Sequence, residues 1–188
     1  IYAWRGASSN SFYDLTKKFS LQTKSLTLSF RCPRAVVLEA QKYVPDIEAA
    51  SNDLGVVTET EVEIAPQSGV TVLSRTNAPL IKLAFRSLRE RQAINYSGKD
   101  FLSGLKTLHK KYPTIPALEK WKVSELAKTD KASKIIRIQD RFAALEVLHS
   151  TGDVKGAIEQ LSRTPPEKAL TLSTIHKAKG AEWANVVY

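Results

Sequence analysis

The chain has 188 residues, 43% hydrophobic and 25% charged, which is enough apolar material for a folded core and excludes disorder throughout. Its 28 basic and 19 acidic residues give a net charge of +9, an excess that favours a polyanionic partner, nucleic acid ahead of a membrane surface. Cys32 is the one cysteine, so no internal disulfide forms, three scattered histidines offer no zinc-type spacing, and the lack of a long apolar run reads as soluble and intracellular.

In chain order, NSFYDLTKKF over residues 10–19 predicts a short helix, with Asn10 or Ser11 as cap and Phe12, Leu15 and Phe19 at helical spacing. SLTLSF, from Ser25 to Phe30, alternates as a strand. Pro33 then opens a helix over RAVVLEAQKYV, so Phe30 to Cys32 occupy a strand-to-helix turn. Residues 46–55 read as loop, and VVTETEVEIA alternates like an exposed strand. VTVLSR, from Val70 to Arg75, is a further short strand, followed by a helix with Asn77 as its cap and Pro79 in its first turn.

Residues 98–168 change character, with four segments of helical periodicity separated by Pro, Gly and Asp breaks. The largest local basic excess falls in this stretch, whereas residues 46–69 contain no lysine or arginine. ALTLSTI resumes as a strand, KAKG makes a turn, and WANVVY begins another strand. Strands alternating with helices predict an α/β fold with a mostly parallel sheet, whose ligands gather beyond the carboxyl ends of the strands. The chain contains no methionine and starts inside a motif-like run, IYAWRGA, so the expectation is a fragment of a longer protein.

Four turns carry chemistry. In IYAWRGA, Tyr2 and Trp4 offer faces on which unpaired bases stack, at about 1–3 kcal/mol each, and Arg5 offers a phosphate clamp. In SFRCP, Phe30 offers a stacking face and Arg31 a bidentate guanidinium fork. In LSRTNA, Arg75, Thr76 and Asn77 are polar donors at a strand end. In TLSTIHKAKGAEW, His176, Lys177, Lys179, Gly180 and Glu182 combine donors with one carboxylate. Each also has a plainer reading as core aromatic, surface arginine or helix cap, and His109 and His149 read as ordinary helix residues.

Taken together, IYAWRGA, LSFRCP, VLSRTNA and TIHKAKGAEW resemble, in order and spacing, the second RecA-like domain of superfamily 1 helicases of the UvrD/Rep/PcrA type. The resemblance implies a RecA-like α/β motor domain over residues 1–97 and 168–188, and a reduced all-helical insert over 98–167. It places Tyr2 and Trp4 against single-stranded bases, Arg5 at the terminal phosphate of ATP, Phe30 on adenine and Arg31 as the arginine finger. Arg75, Thr76 and Asn77 fall on contacts to the DNA strand, Thr174, His176 and Lys177 near DNA phosphate, and Lys179, Gly180 and Glu182 on the nucleotide side, with Glu182 at the ribose. Phe30 stands where the family usually has tyrosine, which keeps the stacking face and loses the hydroxyl.

The chain holds neither a G-x-x-x-x-G-K-[ST] phosphate loop nor an Asp-Glu magnesium pair after a strand. The expectation is therefore half of an ATP cleft in a 3′→5′ DNA helicase. Magnesium and most of the ATP contacts come from an N-terminal RecA-like domain of the same protein, the partners are single-stranded and duplex DNA, and no metal is held by this chain. The expected setting is cytoplasm, nucleoid or nucleus. A non-catalytic nucleic-acid-binding module and the motor of a helicase-nuclease are the alternatives.

Overall fold

The computed structural model describes residues 10–59, 67–165 and 168–188. Tyr2, Trp4 and Arg5 lie outside the described residues, as does most of the strand expected within VVTETEVEIA; its residues 56–59 carry no regular structure. The chain divides into two units, residues 1–64 and 65–188.

In the first unit, α1 (Ser11–Phe19) starts after Asn10, whose side chain makes no cap, and ends at Ser20 in the left-handed region. Its apolar spacing is helical, yet none of its residues is buried: Phe12, Leu15 and Phe19 are all exposed. The expected strand over Ser25–Phe30 shrinks to β1 (Leu28–Ser29), which pairs in parallel with β2 (Glu48–Ala49) inside the stretch expected to be loop. Between them, α2 (Arg34–Gln41) forms where Pro33 fixes the entry, and Val37 is its one buried side chain. Backbone N–H groups at the start of α2 are orphans of helix geometry, and here Arg34 and Ala35 donate theirs to the carbonyls of Asp53 and Leu54, both at 2.9 Å.

The second unit carries a four-stranded sheet in the order β4-β5-β3-β6, parallel throughout. β3 (Thr71–Ser74) leads into α3 (Ala78–Arg89), and β4 (Ile94–Tyr96) follows. α4 (Lys99–Lys111), α5 (Ile115–Leu126), α6 (Ala132–His149) and α7 (Val154–Ser162) come next, then β5 (Leu170–Thr174), α8 (Ile175–Ala178) and β6 (Val186–Val187). The protein is thus α/β with parallel pairing, as its alternation predicts. β4 is a strand the sequence reading lacks, and α8 replaces part of the expected KAKG turn.

The four helices expected over 98–167 are all present, and their apolar stripes enter the same core as α3 and the sheet. Leu80 and Ile81 of α3, Leu102 and Leu105 of α4, Leu118 of α5, Leu145 and Leu148 of α6, and Leu170 and Leu172 of β5 have 0–1% of their surface exposed. Each such side chain contributes roughly 1.5–3 kcal/mol by leaving water. Local caps set two of the helix starts: Thr114 Oγ1 accepts from the Ala117 N–H ahead of α5, and Asp153 Oδ1 accepts from the Gly156 N–H at 2.9 Å ahead of α7.

Candidate functional site

The sheet topology selects one edge of the second unit. β3 sends its connection toward the β4 edge, and its neighbour β5 sends its own toward the β6 edge. Each connection passes beyond the neighbouring strand, so the two leave the carboxyl end of the sheet in opposite directions, and that end is the usual ligand position of an open α/β sheet. Ser74 and Thr174 are register partners at that point, so the turns that follow them leave the sheet side by side. The structure thereby brings together Arg75, Thr76 and Asn77 with Thr174, His176 and Lys177, although α3 to α7 separate them in sequence.

In the first turn Arg75 is exposed, Thr76 is half-buried, and the Thr76 N–H faces Ser74 Oγ at 3.4 Å. Asn77 holds the N-cap position of α3 but does not cap it, a correction to the expectation. Asp140, near the middle of α6, does so instead. Its Oδ1 accepts from the Asn77 and Ala78 N–H groups at 2.8 and 2.7 Å, and its Oδ2 accepts from Asn77 Nδ2 at 2.9 Å. A carboxylate at a helix N-terminus meets both the orphan donors and the positive end of the helix dipole.

The other end of the Asn77 amide is also engaged, since its Oδ1 accepts from the Tyr96 hydroxyl at 2.9 Å. Burial first, then the Asp140 charge, pushes the Tyr96 phenol well above its ordinary pKa, so it remains a donor. Gly98 follows closely, and a Cβ there would meet the Tyr96 ring and hydroxyl within 2.5 Å. Asn77 is therefore a linchpin of the turn, and the exposed donor there is Arg75.

In the second turn, Thr174 precedes α8 in extended backbone, and α8 exposes His176 and Lys177 while burying Ala178. Gly180, at φ +88°, ends it in a conformation that suits glycine, and the Ala181 N–H donates to the Ala178 carbonyl at 2.9 Å. Lys179, Gly180 and Glu182 are exposed along the segment leading to β6.

Asp100 is not among the residues that the sequence singles out. It sits in the first turn of α4, beyond the end of β4, and its Oδ2 accepts from Lys177 Nζ at 2.7 Å. That hydrogen bond, then the lysine charge, holds the Asp100 carboxyl below its ordinary pKa. No sequence signal links two residues so far apart; an acid in a helix's first turn reads only as a dipole partner.

Phe30 and Arg31 belong to the other unit. They lie in the turn between β1 and α2, both exposed, with Phe30 at 80%. An aromatic face presented so fully suits stacking on a planar base, and a guanidinium beside it suits a phosphate. Among the described residues no group of three or more His, Cys, Asp or Glu is placed to hold a metal ion. A cleft of about 420 Å³ lined by Phe85, Arg89, Asp153 and Gln160 lies at the C-terminal end of α3, away from the rim that its N-terminal end helps to form. No helix among the described residues is long and apolar enough to cross a membrane.

No protein-family model, curated protein or solved structure matches the chain.

Proposed function

We propose that the chain is part of an ATP-dependent DNA helicase or translocase, with a RecA-like second motor domain and a helical insert. The carrying observation is the convergence of Arg75 and Thr76 with Thr174, His176 and Lys177 at the carboxyl ends of adjacent parallel strands. This rim takes a single-stranded DNA backbone. Lysine and arginine neutralise phosphates and release counterions, in keeping with the net charge of +9.

In the first unit Phe30 would stack on adenine and Arg31 would sit at the phosphates; in the second unit Lys179, Gly180 and Glu182 are, by the resemblance alone, nucleotide-contact positions. Binding of ATP would favour closure of the cleft, and its hydrolysis by water to ADP and phosphate, followed by their release, would let it reopen. This chain's share is orientation and charge stabilisation of the phosphates by Arg31, the larger part of phosphoryl-transfer catalysis being of that kind.

The test has two arms. Fluorescence anisotropy with a labelled single-stranded oligonucleotide reports binding by the 188-residue chain, and no binding at low salt overturns the DNA reading. In a protein that contains this chain together with a phosphate-loop domain, Arg31→Ala lowers DNA-stimulated ATP turnover by about 10³-fold or more. Near-normal turnover removes Arg31 from the finger role.

A further inference from the structure

His109 lies in the last turn of α4 and His149 closes α6, and their rings meet with centroids 5.1 Å apart and planes inclined at 69°. Each ring has one nitrogen shut off from solvent without a hydrogen-bond partner, Nδ1 of His109 and Nε2 of His149. Buried imidazole nitrogens ordinarily find a partner, so two orphans in one ring pair are an uncompensated cost. A divalent transition ion answers both at once, because neutral imidazole nitrogen is its commonest protein ligand.

The spacing suits such an ion. With metal–nitrogen bonds of about 2.1 Å the ion lies about 3.2 Å from each ring centre, and cis ligation then sets the centres roughly 4.6–5.3 Å apart. Both imidazoles also stand at the C-terminal ends of helices, where the dipole favours a cation. Both residues are only partly buried although the two orphan nitrogens themselves are shut off, so an entering ion displaces the contacts that cover them.

We infer that His109 and His149 form a two-histidine site for a borderline divalent transition ion, Zn²⁺, Ni²⁺ or Cu²⁺, that clamps the ends of α4 and α6 together. Two helices fixed by a common core supply the ligands, so the rings are held near each other before the metal arrives. The site stands independently of the DNA and ATP reading.

Copper(II) titration followed by proton NMR of the imidazole C–H signals tests it, with the exposed His176 as internal reference. The expected result is paramagnetic broadening of the His109 and His149 signals together, below one equivalent and ahead of His176. Broadening of His176 first, equal broadening of all three, or none overturns the site. Thermal unfolding with Zn²⁺ gives a second readout: the midpoint rises for the native chain, and Mg²⁺ has no such effect. His109→Gln and His149→Gln lose the rise, because losing even an outer-shell partner costs about tenfold or more in metal affinity and a ligand costs at least that. An equal rise in native and variant chains contradicts the assignment.

Discussion

Asp140 accepts hydrogen bonds from both the backbone and the side-chain amide of Asn77, at 2.7–3.1 Å when the adjoining Ala78 N–H is included. A carboxylate on α6 thereby fixes the turn that presents Arg75 and Thr76, and the Tyr96 hydroxyl fixes the same asparagine from the sheet side. The helical stretch and the sheet rim are joined by polar bonds as well as by a shared core.

Asp140→Ala leaves the Asn77 and Ala78 N–H groups without their acceptor in a mostly buried place. Each lost charge-assisted bond costs about 1.5–3 kcal/mol, so equilibrium urea unfolding is expected to show a loss of at least that size. Asp140→Asn, which keeps one acceptor oxygen, loses less. A midpoint for Asp140→Ala equal to the native one contradicts the capping role.

Lys177 and Asp100 are both exposed, so their ion pair adds little to stability and acts on binding instead. Asp100 competes with any phosphate for Lys177. Asp100→Asn is expected to tighten binding of a single-stranded oligonucleotide by roughly 2–5-fold at low salt, and the gain shrinks as salt screens the charge. Weaker binding by Asp100→Asn in an anisotropy titration removes Lys177 from the DNA track.

Burial, and secondarily the neighbouring His109, holds His149 below the ordinary histidine value of 6.5. Below that value the unfolded chain takes up a proton at this position more readily than the folded one, so stability rises with pH. The contribution is complete above about 6.5 and is lost as pH falls through the folded pKa. Urea midpoints in the presence of chelator, measured between pH 5 and 7.5, should rise with pH for the native chain and rise less steeply for His149→Gln. Parallel slopes for the two chains rule out His149 as the source.

Much of the architecture is legible because it is written locally. Apolar residues at helical spacing mark α3 to α7, and Pro33 and Pro79 mark helix starts. VTVLSR and ALTLSTI mark the strands whose ends form the rim. β2 and β4 escape notice since two or three residues cannot establish an alternating pattern, whereas β1 keeps only two of the six alternating residues that predict it. The apolar face of α1 predicts a helix correctly but not the exposure of Phe12, Leu15 and Phe19, which depends on what packs there.

The candidate site divides in the same way. Arg75 and His176 stand out as polar residues at strand ends, whereas the adjacency of β3 and β5 is a matter of sheet order. Asp140 does leave a faint trace, as a carboxylate on the buried i, i+4, i+8 line that continues through Ala144 and Leu148. Its partners, more than 60 residues away in sequence, leave none.

The most direct measurement of the rim's role is the salt dependence of single-stranded DNA affinity for the native chain, Arg75→Ala and Arg89→Ala. Arg89 serves as the control, since it lies on the same helix as the Arg75 turn but at the far end, about 18 Å of helix away. Arg75→Ala is expected to weaken binding and to reduce the slope of log K against log salt by about 0.7, the value for one phosphate contact on a single strand, while Arg89→Ala keeps the native slope. Equal slopes for Arg75→Ala and the native chain, or an equal loss in Arg89→Ala, would contradict a DNA track at the carboxyl ends of β3 and β5.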